Sequence, residues 1–319
     1  EYYHIVEIDP SFQIITDTNV DMLMDEAFEK LFNDRYENND EQFIQTSLNY
    51  SFLRTNEDYF KEQLKNIYTF IYNRPSPFKW LHEKVEFFNQ NEEELKESLA
   101  FKIIKEEAYD GIELSFNLLN EALEKAKFYK ANEKLIDLLN EEVNNIKLLK
   151  RDFEGNSNKV FSLKMGDIFR ARIVGTNKLD PQIKNEITQK RNLAKDTIKN
   201  IINNLYAFSI EDMLKINNNL YPQMQTIEKA LIDFDYYYKE IKKEKGVLEF
   251  NDIEHLCLEI LNNENARKEI VNKFDFVFVD EYQDTNLVQE AIITKIIKEN
   301  NLFTVGDVKQ SIYRFRQAE

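Results

Sequence analysis

Two adjacent carboxylates, Asp280 and Glu281, close a run of four apolar, β-favouring residues, Phe276-Val277-Phe278-Val279. A short apolar run bounded by polar residues predicts a strand buried on both faces, of the kind found within a parallel sheet. Carboxylates at the C-terminal end of such a strand stand where open α/β sheets bind their ligands. There one Asp can hold Mg²⁺ while a second acid orients or deprotonates an attacking water. Taken alone, four apolar residues and an acid pair fit a strand ending in a polar turn equally well. The sequence that follows narrows the choice. Leu302-Phe303-Thr304-Val305 is a second apolar run, ending in Gly306-Asp307, and Val288, Ala291, Ile292, Lys295 and Ile296 recur at helical spacing between the two runs. Strand, helix and strand in this order predict a right-handed βαβ crossover with parallel strands. Beyond Asp307, Tyr313 and Phe315 alternate with Arg314 and Arg316, an interleaving that argues against two core aromatics.

The elements that must position these residues are mostly helical. Only six Gly and five Pro occur in 319 residues, with abundant Leu, Ile, Lys, Glu and Asn, which predicts a mainly α protein. Residues 1–15 are mixed and interrupted by Pro10. Thr18 is placed to cap a helix running to about Tyr36. Further helices are expected over 41–52 and 56–72, with a break at Pro75 and Pro77 and another helix over 78–89. Trp80, flanked by Leu81 and Val85, reads as a core anchor. Residues 92–149 carry long apolar stripes, among them Leu135, Leu139, Val143, Ile146 and Leu149, that should bury against each other as antiparallel helices. Gly155, Gly166, Gly175 and Pro181 interrupt the pattern, leaving room for short strands near 160–161 and 168–174. A helix over 183–206 follows. Then Met224, Ile227, Leu231, Phe234, Tyr238 and Ile241 alternate by three and four, a seam that predicts two long helices packed nearly antiparallel. Gly246 should end that helix, and Asn251 should cap the next with Glu254 at the third position.

Composition limits the function classes. The chain has 42 Lys and Arg against 58 Asp and Glu, a net of −16, which argues against a protein that coats nucleic acid over its whole surface. Residues 147–199 depart from this, with thirteen Lys or Arg against six Asp or Glu, a net of +7. Arg170, Arg172, Lys178, Lys190 and Arg191 are the candidates there for phosphate contact; the same charges also fit a solvated helix face with a basic loop. One Cys and three His, without CxxC or HxxxH, argue against a disulfide framework or structural zinc. No run approaches 18 apolar residues and no leader is visible, so a soluble, cytoplasmic protein is expected.

Asp280-Glu281-Tyr282-Gln283-Asp284-Thr285-Asn286, followed by Gly306-Asp307-x-x-Gln310-Ser311-Ile312-Tyr313-x-Phe315-Arg316, resembles motifs II and III of superfamily 1A DNA helicases, the UvrD/Rep/RecB group. Leu248-Glu249-Phe250-Asn251-Asp252-Ile253 is similar to the segment preceding motif II in that group. The wording of motif III, together with Ile8-Asp9-Pro10-x-Phe12, resembles the AddA branch of helicase–nucleases. The resemblance implies a helical inserted (1B-like) subdomain over 16–245, followed over 246–319 by a partial RecA-like α/β segment of P-loop NTPase type, with 1–15 as the end of a motor-domain segment or a linker. It implies ATP and Mg²⁺ as cofactors, with Asp280 holding the metal through water, Glu281 activating the water and Gln310 sensing the γ-phosphate. Tyr313 and Phe315 would stack on single-stranded DNA, Arg316 would pair with a phosphate, and the inserted subdomain would lie against the duplex, with an AddB-like protein as partner. Many relatives carry Trp where Phe315 stands, so weaker stacking is expected here. No Gly-x-x-x-x-Gly-Lys-Thr/Ser occurs in the chain, and the sequence opens on Glu1. A fragment of a helicase and nuclease is therefore expected, inactive by itself. The rival readings are a helical interaction module from an inactivated helicase-like protein, and a different P-loop ATPase sharing only the two acids.

Overall fold

The computed structural model describes residues 1–51, 57–155, 165–169, 172–177, 179–307 and 309. In chain order the elements are β1 (Gln13–Ile14), α1 (Asp17–Glu37), α2 (Glu41–Tyr50), α3 (Glu57–Tyr72), α4 (Pro77–Glu86), α5 (Glu92–Glu97), α6 (Leu99–Phe128), α7 (Glu133–Gly155), α8 (Met165–Ile168), α9 (Pro181–Asn200), α10 (Ile210–Lys245), β2 (Val247–Leu248), α11 (Phe250–Asn262), α12 (Glu264–Asn272), β3 (Val277–Val279), α13 (Leu287–Ile296) and β4 (Leu302–Thr304). The mainly helical expectation holds. Among the described residues no helix is long and apolar enough to cross a membrane.

The chain divides into two compact units: residues 1–89 with 219–319, and residues 90–218. In the first unit, residues 16–89 pack with the C-terminal part of α10. The reason lies in the seam of α10. Ile227, Leu231, Phe234, Tyr238 and Ile241 are buried together with Phe28, Leu31, Phe43, Phe60, Leu64 and Ile71, and Phe28 stacks on Phe234 with ring centroids 3.9 Å apart. The seam therefore enters a cluster of shorter helices, α1 to α4, where a second long helix was expected. Each such side chain contributes roughly 1.5–3 kcal/mol on burial. Phe234 and Tyr238 are core, as expected, while Tyr236 between them faces solvent.

This unit also holds a buried polar network. Lys242 Nζ donates to both oxygens of Asp252 at 2.7 Å and to Glu249 Oε1 at 3.1 Å. Tyr238 donates to Glu249, and Tyr68 donates to Asp235 at 2.8 Å. Burial pushes the Tyr72 and Tyr238 hydroxyls far up, helped by Asp252 and Glu249 respectively. Asp252 also accepts the backbone N–H of Glu249 at 2.9 Å, so the cap of α11 is Glu249, two residues before the expected Asn251. Gly246, at φ +65°, ends α10. The next residues form β2, which pairs in parallel with β1, Gln13 opposite Val247 and Ile14 opposite Leu248. At the other boundary, α1 begins after Thr16 rather than Thr18.

In residues 90–218, α6 packs on both α7 and α9. The four-residue link 129–132 makes α6 and α7 antiparallel neighbours, and Ile112, Leu119, Leu135, Leu139, Ile146, Ile187 and Ile198 fill the space between the three helices. Gly111 leaves room for α9 and the turn after it, since a Cβ there would stand 2.9 Å from Ile201 Cδ1 and 3.2 Å from Thr197 Cγ2, and those side chains would have to shift. The helix expected over 183–206 is α9 followed by a π-helical turn, Ile201–Leu205. Of the short strands expected near 160–161 and 168–174, the first lies outside the described residues; Ile168 ends α8 and residues 172–174 are irregular.

One cation expected to meet DNA is instead tied into this bundle. Arg191 is buried and donates twice to Glu142 of α7, at 2.8 and 2.6 Å, with side chains only 3% and 1% exposed. Burying a guanidinium is tolerable only with a carboxylate in bidentate register, so Arg191 is a packing residue and the expectation of phosphate contact is corrected. Lys190 pairs with Glu121 of α6. Arg172 is exposed, whereas Arg170 and Lys178 lie outside the described residues. Replacing Arg191 with Ala strands a buried carboxylate, and denaturant unfolding should then register a loss of about 3–5 kcal/mol. The isosteric double change Arg191→Met with Glu142→Leu should recover most of it.

Candidate nucleotide-hydrolysis site

The strand–helix–strand expectation is met by β3, α13 and β4. The strands are parallel, with Val277 opposite Leu302, Phe278 opposite Phe303 and Val279 opposite Thr304. The ladder runs past both ends, through Val277 N–H to Asn301 O at 2.8 Å and Val305 N–H to Val279 O at 2.9 Å. One expectation fails: β3 is not buried on both faces. Phe278 is 72% exposed, and Phe276, Phe303 and Val305 on the same short sheet are also exposed. The cause is that, among the described residues, β3 pairs with β4 alone, and two strands with one helix between them cannot cover both faces.

Asp280 and Glu281 emerge side by side from the C-terminal end of β3, both exposed. Glu281 adopts left-handed backbone geometry, φ +51° and ψ 43°, at a cost of about 1–2 kcal/mol for a residue with a Cβ. That turn brings the Tyr282 N–H back onto Val305 O at 2.9 Å, which continues the bonding to the neighbouring chain segment beyond the strand. The backbone N–H of Glu281 donates to Asp280 Oδ1 at 3.0 Å. A one-turn 3₁₀ helix, Tyr282–Asp284, follows. Tyr282 donates to Glu290 at 3.1 Å, and its hydroxyl is pushed up first by burial and then by that carboxylate.

Gln283 links the two strand ends. Its Nε2 donates to Glu281 Oε2 at 2.6 Å, and its Oε1 accepts the backbone N–H of Asp307 at 3.0 Å. The amide thereby orients the second carboxylate and holds the Gly306-Asp307 turn against it. Gly306 is required sterically, since a Cβ there would stand 2.5 Å from Gln283 Oε1 and 3.1 Å from Gln283 N. In the sequence Gln283 stands out only as part of a string; the signal for its role is Gly306, a glycine at a strand end that must admit another chain segment.

Asn286 then caps α13. Its side chain accepts the Gln289 N–H at 2.8 Å, and Gln289 Oε1 accepts the Asn286 N–H at 3.3 Å, a reciprocal capping box. Both amides also donate to Glu254 of α11, at 3.1 Å from Asn286 and 2.7 Å from Gln289. Glu254, expected to complete a cap on its own helix, instead serves this one. Asp284 Oδ1 is buried without a hydrogen-bond partner among the described residues.

A cation could be met here by Asp280, a hard oxygen donor at a strand end. Among the described residues no group of three or more His, Cys, Asp or Glu could hold a metal. A single carboxylate oxygen donor of this kind suits Mg²⁺, which keeps much of its water. Gln310, Tyr313, Phe315 and Arg316 lie outside the described residues.

The contacts of Gln283 predict a separable effect. Gly306→Ala should displace the Gln283 amide and lower the melting temperature by several degrees, the size of a loss of about 1–3 kcal/mol. Gln283→Ala should relieve that clash, so adding it to Gly306→Ala should cost less than the sum of the two single changes in a double-mutant cycle.

The whole chain, residues 1–319, matches the UvrD/REP helicase N-terminal domain. It is 37% identical over 319 residues to an ATP-dependent helicase/nuclease component of Alkaliphilus oremlandii, 36% over 323 residues to that of Alkaliphilus metalliredigens, and 32% over 332 residues to that of Clostridium perfringens. These matches take in 99–100% of this chain and 26% of each relative, so the chain spans about a quarter of their length. With its acid pair, parallel strand pair and glycine-admitted turn all inside the matched length, the chain belongs to the UvrD/REP helicase N-terminal domain family.

Proposed function

We propose that these residues form part of the first motor domain of an ATP-dependent DNA helicase and nuclease. The observation that carries this reading is the presentation of Asp280 and Glu281 together at the end of a parallel strand, with Glu281 oriented by Gln283. ATP would be the nucleotide and Mg²⁺ its metal. When bound, the metal would supply charge neutralisation on the phosphates. Asp280 would hold it through water, and Glu281 would accept a hydrogen bond from the attacking water. Gln283 keeps one Glu281 oxygen occupied and leaves the other to that water. On resemblance, Gln310 senses the γ-phosphate, Tyr313 and Phe315 stack on single-stranded DNA and Arg316 pairs with its phosphates.

The relatives are named as one component of a helicase/nuclease built from more than one chain, which supports a partner of AddB type and a role on DNA ends in recombinational repair within the bacterial cytoplasm. The exposed apolar face of Phe276, Phe278 and Phe303 fits a sheet that gains further strands and helices in a complete motor domain. Residues 16–89 and 90–218 would both belong to the helical insertion, with duplex contact in the second. Of the five cations first considered, Arg172 and Lys190 are the described candidates that are not buried.

The test uses the full-length protein. Asp280→Ala or Glu281→Ala should lower DNA-stimulated ATP turnover by about 10²–10⁴-fold while DNA affinity, read by fluorescence anisotropy, stays within about threefold. Turnover close to wild type would overturn the reading. The isolated 319 residues contain no Gly-x-x-x-x-Gly-Lys-Thr/Ser loop and should turn over no ATP. For duplex contact, Arg172→Glu should weaken binding and reduce the dependence of log affinity on log salt by about one ion. An unchanged salt slope would remove Arg172 from the DNA path.

A further inference from the structure

We propose that Glu254 is a positioning residue for nucleotide hydrolysis, holding the far end of the loop that carries Asp280 and Glu281. This rests on the hydrolysis reading above. The loop from Asp280 to Asn286 has two anchors. The near one is the β3–β4 ladder with Gln283. The far one is Asn286, the N-cap of α13.

The capping box fixes which way both of its amides face. Asn286 uses its oxygen on the Gln289 N–H, and Gln289 uses its oxygen on the Asn286 N–H. Each NH₂ group therefore points out of the box, and both meet Glu254, one at each carboxylate oxygen. Two donors with fixed orientation face two acceptors. A carboxylate satisfies both, whereas a primary amide offers one acceptor and one donor and must confront an NH₂ group with its own. Neither Asn286 nor Gln289 can turn over to help without giving up its half of the box.

Glu254 is itself well held. It lies on α11, two residues after Asp252, and Asp252 is locked to Lys242 of α10 by two 2.7 Å bonds. The chain of contacts from α10 through α11 to Asn286 thus sets where the acid-pair loop ends. An error of a fraction of an ångström there shifts Glu281 relative to its water, which lowers the rate of the chemical step more than nucleotide affinity.

The same geometry supplies a rescue. In Glu254→Gln with Asn286→Asp, the new Asp keeps one oxygen on the Gln289 N–H and offers the other to the new Gln Nε2. The new Gln oxygen still accepts from Gln289. Net charge is unchanged and every bond is restored.

The experiment measures ATP turnover, KM for ATP and melting temperature in full-length protein on single-stranded DNA, well below the melting transition. Glu254→Gln should lower kcat about tenfold with KM within about twofold, and the double variant should return kcat to within about threefold of wild type. Asn286→Asp alone opposes two carboxylates and should also lower kcat; if Glu254→Gln is recovered unfolded, rescue is read from Asn286→Asp instead. A kcat for the single variants within twofold of wild type, or a double variant no faster than the single ones, would overturn the proposal. A melting temperature that falls while kcat holds would do the same, since that marks a role in stability alone. If wild-type protein shows no ATP turnover, the hydrolysis reading fails and this inference fails with it. Turnover that requires Asp280 but ignores Glu254 sinks only the latter.

Discussion

The left-handed turn at Glu281 is the constraint on which the candidate site depends. A strand that simply continued past Val279 would send successive side chains to opposite faces and separate the two acids. The positive φ at Glu281 instead folds the chain back, so that Tyr282 bonds to Val305 and Gln283 reaches both Glu281 and Asp307. A Cβ in this region costs energy, and such strain persists only where surrounding contacts over-determine it. Here those contacts are the ladder to β4, the Gln283 amide and the open space at Gly306. Each depends on the others, because the amide can sit where it does only over a glycine.

Charged groups in the two units serve different ends. In residues 90–218 the bidentate Arg191–Glu142 pair joins α9 to α7 inside an apolar bundle. Hydrophobic residues of similar volume could do as well for stability, but removal of one partner leaves a stranded charge. In residues 1–89 with 219–319, Lys242, Asp252 and Glu249 form a network shared with Tyr238. That network ties the C-terminal turns of α10 to the start of α11, and so sets the helix from which Glu254 reaches the capping box of α13.

The capping box is an ordinary local motif put to a second use. Asn and Gln at these positions satisfy the first backbone donors of α13 and would do so in isolation. Because their amides have four hydrogen-bonding groups and the box consumes two, the remaining pair is available to a carboxylate from elsewhere. Asp284, half-buried nearby with its Oδ1 buried and unpartnered, marks the same loop as one whose polar groups are not all satisfied within the described residues.

Much of this is legible from the residues themselves. The acid pair, its strand, the helix after it and the parallel partner strand follow from short apolar runs and helical spacing, which are local signals with a fixed period. The α10 seam is equally plain, as is the helical character of the chain. What covers a seam is not local, however: the same stripe serves one long partner or several short ones, and only the tertiary structure puts α1 to α4 against it. Arg191 reads as a phosphate contact because charge counts along sequence do not register a carboxylate 49 positions away. Glu254 reads as a helix cap for the same reason, since its partners lie 32 and 35 positions on. Residue type and spacing determined which chemistry this chain can present. Long-range burial and pairing decided which of its charges are free to take part.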